Sequence, residues 1–494
     1  MRLLVANRGE IAMRIFRACR DLGIETVAVF SDADRKAPHV TMADYAVRLG
    51  PAPARESYLL VPAILEAAKK SGAALIHPGY GFLAENAGFA RACGQAGLTF
   101  VGPSPDAIET MGSKTVSRRL MEAAGVPVVP GTTGAASGPE QLKDFGRRAG
   151  YPVLLKAAAG GGGKGMRRVA SESELDSAFA RASSEARAFV SDGSVYAEKL
   201  IDRPRHIEVQ IIADARGRAA AVGERECSLQ RRHQKVLEEC PSPAVGPDLR
   251  SRLFEAALAA ARTVNYVSCG TVEFLLAPDG SFYFLEMNTR LQVEHAVTEE
   301  VFGVDLAAEM IRIALGEPLS FESGDLSARG HAIECRVYAE DPRRDFAPSP
   351  GTITALRLPA GPGVRHDIGI EQGGSVPIDY DPMLGKLVVT GADRPRAIAR
   401  LSRALSEYEI SGVETTLPLF RRLVEDPGFL AGAFDTQWLE RRLAEGLLDP
   451  PPSSSDDVLL AAISLSDGQP DRDAGRAGAP SRWRSTARGE ALRR

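Results

Sequence analysis

Glu273, Glu286 and Asn288 bracket an Asp279-Gly280 pair in a run that is otherwise mostly apolar. Asp-Gly is a favoured two-residue hairpin turn. With that turn Pro278 faces Ser281, and counting back along both strands sets Glu273 directly across from Glu286, with Asn288 on the same face. Opposed carboxylates repel unless a positive charge lies between them. Two glutamates and an asparagine offer oxygen ligands only, which suits Mg²⁺ or Mn²⁺ shared with substrate phosphates. The apolar neighbours Val272, Phe274, Phe284, Leu285 and Met287 imply a partly buried sheet rather than a solvated surface hairpin.

Arg290, Gln292 and Glu294 alternate directly after this hairpin. An arginine fork and an amide can hold a small planar oxyanion such as bicarbonate. A carboxylate beside them can serve as general base. Taken alone the stretch reads equally well as a polar loop before a helix over 298–315; beside a metal hairpin the chemical reading is the better one.

Further upstream, Gly160 to Gly163 precede Lys164-Gly165-Met166. Glycine lets backbone N–H groups close on phosphate oxygens, but the spacing does not match the P-loop GxxxxGK[ST]. Lys156, ending the apolar strand 152–156, can set a point charge against a phosphate. Lys114, behind Gly112-Ser113, is a second candidate cation, although alone it reads as an ordinary helix-start lysine. Glu198-Lys199-Leu200-Ile201 ends a strand and can offer backbone donors and acceptors to an adenine edge; alone it is an ordinary strand end. His206 and the donor-rich run from Gln230 through His233 to Lys235 suggest an anion, or a solvated basic loop. Arg336, in a strand over 331–338, can face the same cleft. Tyr80 lies between two glycines in His77-Pro-Gly-Tyr-Gly-Phe-Leu-Ala-Glu-Asn86, which fits a tight loop at a strand end.

The elements that must position these groups follow from periodicity. Strands over 2–6, 26–30, 73–76 and 98–101 alternate with helical segments, which indicates a parallel α/β unit over about 1–110. No GxGxxG follows the first strand, which disfavours a nicotinamide site. Val126 to Pro130 reads as a linker, 195–199 and 207–212 as strands, 248–264 as a helix, 352–357 and 385–390 as strands, and 394–407 and 415–424 as helices. From Pro450 the chain turns to Pro, Ser, Gly and Arg with almost no apolar periodicity, and reads as a solvated tail.

The 494 residues carry 60 Lys plus Arg against 64 Asp plus Glu, so no basic excess argues for nucleic acid or an anionic membrane. No apolar run approaches the roughly 18 residues of a membrane span, and the start, Met1-Arg-Leu-Leu-Val-Ala6, lacks the pattern of a secretory signal. The six scattered cysteines, with no CxxC pair, read as reduced thiols of a cytoplasmic protein.

In this order the motifs resemble those of the biotin carboxylases of the ATP-grasp superfamily. The resemblance rests on Ala6-Asn-Arg-Gly-Glu-Ile-Ala12, His77 to Asn86, Lys156 with Gly160 to Met166, Cys227-Ser-Leu-Gln-Arg-Arg-His-Gln-Lys235, Glu286-Met-Asn-Thr-Arg-Leu-Gln-Val-Glu-His295 and Tyr380-Asp-Pro-Met383. It covers about residues 1–446. It implies an α/β ATP-grasp fold: an N-terminal parallel α/β domain at 1–112, an ATP-grasp domain at 113–330 with a mobile lid at about 131–203, a C-terminal biotin-carboxylase domain at 331–446, and a linker and tail at 447–494. By motif it implies that Lys114, Lys156, Gly162, Gly163, Met166, Glu198, Lys199, Leu200, Ile201, His206, Gln230, His233, Glu273 and Glu286 bind ATP, with Lys235 in the catalytic set. Glu273, Glu286 and Asn288 would hold two Mg²⁺ or Mn²⁺. Arg290, Gln292 and the backbone of Val293 would hold bicarbonate, and Glu294 would be the general base. Arg336, with Tyr80, would meet biotin and stabilise its enolate.

The implied activity is ATP- and bicarbonate-dependent carboxylation of biotin through carboxyphosphate. That is the first half-reaction of an acyl-CoA carboxylase, with acetyl-CoA the expected acceptor. No Met-Lys-Met acceptor occurs in this sequence, so biotin would be a substrate carried on another chain or on a segment outside the given sequence. The partners implied are a biotin carboxyl carrier protein, carboxyltransferase subunits and a second copy in a homodimer. Two alternatives remain at this stage: another ATP-grasp ligase that activates a different carboxylate, and a non-catalytic scaffold subunit. The basic tail 476–494 carries no functional reading.

Overall fold

A computed structural model of the chain describes residues 1–132, 134–136, 138–157, 166–190 and 193–449. The glycine run, with Gly162 and Gly163, and the tail from Pro450 lie outside the described residues. The fold is mixed α/β, a parallel sheet followed by antiparallel ones.

The first sheet is parallel throughout, in the order Tyr45–Gly50, Glu25–Ser31, Arg2–Val5, Leu75–His77, Thr99–Phe100. The order reverses beside Arg2–Val5, and loops at the carboxyl ends of the strands flanking such a reversal diverge to leave a crevice. Asn7 and the His77–Asn86 loop emerge there. Asn7 Nδ2 donates to the carbonyls of Pro78 (2.8 Å) and Tyr80 (2.7 Å), which ties the two loops together. Gly79 takes a left-handed φ of +64°, and a Cβ on it would stand 2.9 Å from Asn7 Nδ2, so the loop needs glycine there.

The second sheet is antiparallel with eight strands. Its order is Phe282–Asn288, Ser268–Leu276, Arg205–Ala213, Ala219–Arg231, Gln234–Cys240, His331–Tyr338, Met383–Gly391, Val364–Ile368. It runs unbroken across position 330/331, where sequence alone suggests a domain boundary. The strands alternate apolar residues, which face the helices, with polar residues on the other face. Pro247–Thr263 packs Leu253, Ala257 and Ala260 against Ile207, Val209 and Val272. Arg394–Glu407, found where expected, packs Leu401 and Leu405 against Ile333 and Leu387.

A third sheet, Arg167–Val169, Val153–Ala157 and Val195–Lys199, has its own core with the helices Pro139–Ala149 and Leu175–Val190. That small core includes Leu142, Phe145, Val153, Leu155, Val169 and Val195.

Several local expectations are corrected. The hairpin turn is not the two-residue kind. Ala277 N–H bonds to Ser281 C=O at 2.8 Å, Gly280 has φ +82°, and near the turn Leu276 pairs with Phe282. That register is one residue off the expected count, and a bulge between Glu273 and Phe274 restores it, so Glu273 still faces Glu286. The helix expected over 298–315 is two, His295–Phe302 and Leu306–Ala314. Gly303 breaks it in the left-handed region at φ +70°, and the Asp305 carboxylate caps the second helix through Ala308 N–H at 2.7 Å. The 126–130 segment lies along the hairpin edge, with Phe284 N–H donating to Pro127 C=O at 2.7 Å. The strand expected over 352–357 is two short ones, Gly351–Thr352 and Ala355–Arg357, with different partners. All six cysteines are buried and unpaired. No helix among the described residues is long and apolar enough to cross a membrane.

Candidate active site

Register carries one row of charge across the antiparallel sheet. Glu286 faces Glu273, Glu273 faces Glu208, and Glu208 faces Arg225. Arg225 has no exposed surface. Its guanidinium donates to Glu208 (2.5 Å), Gln210 (2.7 Å), Thr298 (2.9 Å), Thr271 (3.2 Å) and Gln292 (2.9 Å). A buried guanidinium is retained only when its donors are matched this fully.

Lys235 supplies the second cation. Its Nζ donates to Glu208 at 2.5 Å, Glu273 at 2.8 Å and Glu294 at 2.6 Å. Burial works against its charge, but the three carboxylates outweigh it and raise its pKa well above the usual lysine value. Glu294 is then held between Lys235 and Arg336, which donates to its other oxygen at 2.8 Å. Burial alone would push the Glu294 carboxyl up; the charges of Lys235, Arg336 and Arg225 overcome that and hold it well below the carboxylate range. Arg336 is itself fixed by Glu238 at 2.6 Å.

Arg290 donates to Asn288 Oδ1 at 2.9 Å and pairs with Glu85 at 3.1 Å. Gln292 donates its amide to Glu273 at 2.8 Å and accepts from Arg225. Arg290, Gln292, Glu294, Lys235 and Arg336 thus belong to one continuous polar network. The Tyr80 hydroxyl donates to Glu10, and Arg336 lies near enough for its charge to act on Tyr80.

Among the candidate nucleotide ligands, Lys156 Nζ pairs with Glu198 at 2.5 Å, and Arg118 joins the same carboxylate at 3.0 Å. His206 Nε2 lies 3.1 Å from Glu273, and Gln230 Nε2 lies 3.1 Å from His206 Nδ1. Lys114 opens the helix Lys114–Ala123, and its charge acts on Glu286. Met166 and Ile201 are half-buried. The N–H groups of Lys199 and Leu200 are already taken by the carbonyls of Pro130 (2.8 Å) and Pro152 (3.3 Å), and Lys199 Nζ donates to Gly150 C=O. The donor-rich run 230–235 divides. Arg232 and His233 form the tight turn of a hairpin, both at positive φ, and His233 is exposed there without a hydrogen bond to another candidate among the described residues. Arg231 and Arg232 pair with Asp345, while Gln230 and Lys235 face the network.

Sequence reasoning missed Glu208, Arg225, Glu85 and Arg118. Glu208 and Gln210 carried a signal, since they recur every second residue in a strand whose other positions are apolar. Arg225 carried none, because nothing local marks a buried arginine.

The donor set fits a hard divalent cation at the hairpin. Among the described residues Glu286 has no hydrogen-bond or ion-pair partner, and burial first, then the facing Glu273, raise its carboxyl. The ligand atoms of His206, Glu208 and Glu273 also lie within 4.8 Å of one another, but there Lys235 already supplies the positive charge. Asn288 Oδ1 would be shared with Arg290.

Glu334 is a second buried carboxyl, opposite Glu238 in the sheet, and neither of its oxygens has a hydrogen-bond partner among the described residues. Burial pushes it well above the usual range. Lys386 and Arg336 pull it back only in part, and Glu238 and Glu294 add to the rise. The folded chain therefore holds a proton that the unfolded chain releases near pH 4 to 5. The stability this gives is full at low pH and is lost as pH rises through the raised value. Glu334→Gln keeps the neutral shape. Its urea midpoint should fall less than that of the unaltered chain between about pH 6 and 9; equal falls would contradict this reading.

Three family profiles match the chain: the N-terminal domain of biotin carboxylase over 1–108, the ATP-binding domain of the carbamoyl-phosphate synthase L chain over 113–322, and the C-terminal domain of biotin carboxylase over 334–441. A biotin carboxylase from Nostoc is 50% identical over 439 residues, which is 89% of this chain and 98% of that one. A pyruvate carboxylase subunit of Methanothermobacter thermautotrophicus is 51% identical over 440 residues, 89% of each chain. Among solved structures, the biotin carboxylase of Campylobacter jejuni, in a nucleotide complex, superposes with a TM-score of 0.86 at 46% identity, covering 89% of this chain and 98% of that one. The biotin carboxylase domain dimer of the Hydrogenobacter thermophilus 2-oxoglutarate carboxylase, bound to MgADP, ADP and bicarbonate, gives 0.86 at 44% identity, covering 91% of this chain and 99% of that one.

Proposed function

Since the chain belongs to the biotin carboxylase family, whose members are ATP-dependent ligases that carboxylate biotin, we propose that the charged face of the antiparallel sheet is its active site. The observation that carries this reading is the Glu294 carboxylate, held ionised between Lys235 and Arg336 beside Arg290 and Gln292.

Bicarbonate would bind to Arg290, the Gln292 amide and Val293 N–H, with its hydroxyl toward Glu294. Glu294 is ready as a base because it is ionised, though Lys235 and Arg336 make it a weak one. The negative charge of bicarbonate and ATP raises its proton affinity when they bind. The deprotonated oxygen attacks the γ-phosphorus of ATP, giving carboxyphosphate and ADP. Lys114, Lys156, His206, Gln230, His233 and Lys235, with Met166, Glu198 to Ile201 and Gly162-Gly163, would hold the nucleotide. Glu273, Glu286 and Asn288 would hold two Mg²⁺ or Mn²⁺, which when bound neutralise charge on the phosphates. Carboxyphosphate then parts into CO₂ and phosphate. The released phosphate would take the ureido proton of biotin, and Arg336, with Tyr80 alongside, would stabilise the resulting enolate, which captures the CO₂. Water destroys carboxyphosphate, so closure of the lobe at about 131–203 as a lid is part of this reading.

The four-part division at 112, 330 and 446 belongs to the same proposal. So does delivery of biotin by a separate carrier protein, with carboxyltransferase partners and a homodimer. The Hydrogenobacter domain dimer supports the last of these. The acyl-CoA acceptor is the narrower part. Relatives include subunits of pyruvate and 2-oxoglutarate carboxylases, so the acceptor is a property of the carboxyltransferase.

The test is ADP release by the purified chain with Mg²⁺, ATP and bicarbonate, with and without free biotin. Strong stimulation by biotin is expected. Bicarbonate-dependent release that biotin leaves unchanged would favour an activated carboxylate passed to another acceptor.

A further inference from the structure

The Glu286–His295 motif ends on a histidine to which the mechanism above gives no work. His295 is wholly buried. Its Nδ1 lies 2.8 Å from the carbonyl of Gln292, so that nitrogen carries the proton and donates. Its Nε2 is buried without a hydrogen-bond partner among the described residues, and Glu299 lies 3.8 Å from it. Burial and the nearby charges of Lys386, Arg14 and Arg365 keep the ring neutral.

Lys386 is equally buried, on the strand Met383–Gly391. Its ammonium reaches across to the loop and donates to the carbonyl of Val293 at 2.6 Å. Glu10 at 3.6 Å and Asp367 at 3.7 Å balance its charge. A buried lysine is costly, and this one directs its short hydrogen bond at a backbone carbonyl rather than a carboxylate.

The two contacts pin adjoining peptides. In a trans peptide the C=O and the following N–H point in opposite directions. Drawing the Gln292 carbonyl toward His295 turns Val293 N–H the other way, and drawing the Val293 carbonyl toward Lys386 fixes the start of Glu294. Among the described residues Val293 N–H has no acceptor, so it is left for a ligand. We propose that His295 and Lys386 are positioning residues. By holding the carbonyls of Gln292 and Val293 from behind, they aim Val293 N–H and the Glu294 carboxylate at bound bicarbonate. This rests on the bicarbonate site proposed above and adds how that site is kept in shape.

The test compares His295→Asn with His295→Gln in the full chain. Asparagine can place an amide N–H close to where Nδ1–H stands; glutamine sets it a methylene further out. His295→Asn should keep the bicarbonate KM within about threefold of the unaltered chain, whereas His295→Gln should raise it about tenfold or more, and both should leave the ATP KM within about twofold. Lys386→Met, which removes the other donor, should show the same selective rise and carries the test if a His295 variant does not fold. Parallel losses for ATP and bicarbonate, or equal bicarbonate KM values in the two His295 variants, would overturn the proposal. An unaltered chain whose ADP release ignores bicarbonate would instead overturn the functional reading, and this inference with it.

Discussion

Glu294→Gln should abolish most bicarbonate-dependent ADP release, on the order of 10²- to 10⁴-fold, while ATP still binds. Glutamine keeps the shape of the side chain and removes the proton acceptor. It also removes the counter-charge of Lys235 and Arg336, which lie 2.6 and 2.8 Å from its two oxygens. Lys156 and Glu198 pair with each other, and Lys235, the candidate nucleotide group that touches Glu294, is still held by Glu208 and Glu273, so the ATP dissociation constant should stay within about threefold. Equilibrium ATP binding and steady-state ADP release on the same preparation separate the two effects. Normal turnover in the variant would show that another group takes the proton.

Arg225→Met should have the largest effect on stability. The guanidinium has no exposed surface and makes five hydrogen bonds to side chains on several elements. Methionine fills much of the volume but leaves Glu208, also fully buried, with Lys235 as its remaining hydrogen-bonded cation. Removing one partner of a buried ion pair costs about 3–5 kcal/mol, because the other charge stays behind in a low dielectric. Urea denaturation at neutral pH reads this directly. A loss under about 1 kcal/mol would mean that water or a shifted side chain replaces the network. The same variant frees Gln292, so any folded enzyme should bind bicarbonate weakly.

Much of this site is legible in the sequence because it is local. Glu286 to Glu294 is a strand followed by a tight loop, and alternation alone places Glu286 and Asn288 on one face, then Arg290, Gln292 and Glu294 together. The facing of Glu273 and Glu286 was also readable, though by a count that two irregularities happen to cancel: a longer turn and a bulge. The groups that escaped notice act over long sequence distances. Arg225 reaches Gln292, Lys386 reaches Val293, and Glu85 reaches Arg290, each through sheet order or interlobe packing that no local period encodes. The run 230–235 misled for a related reason. Its six donors look like one cluster, yet a tight turn sends Arg231 and Arg232 to Asp345 and leaves Gln230 and Lys235 facing the site. The break at Gly303 was available as a glycine signal, but an apolar pattern continuing past it hid the boundary.

The central claim is that a bicarbonate oxygen, not water, attacks the γ-phosphorus. The most direct measurement supplies bicarbonate labelled with ¹⁸O and examines the inorganic phosphate formed with ATP, Mg²⁺ and biotin. If carboxyphosphate forms, the attacking oxygen stays on phosphorus when the carbon–oxygen bond breaks. Each phosphate should then carry one labelled oxygen, in step with carboxybiotin. Phosphate carrying oxygen from water alone would contradict the account.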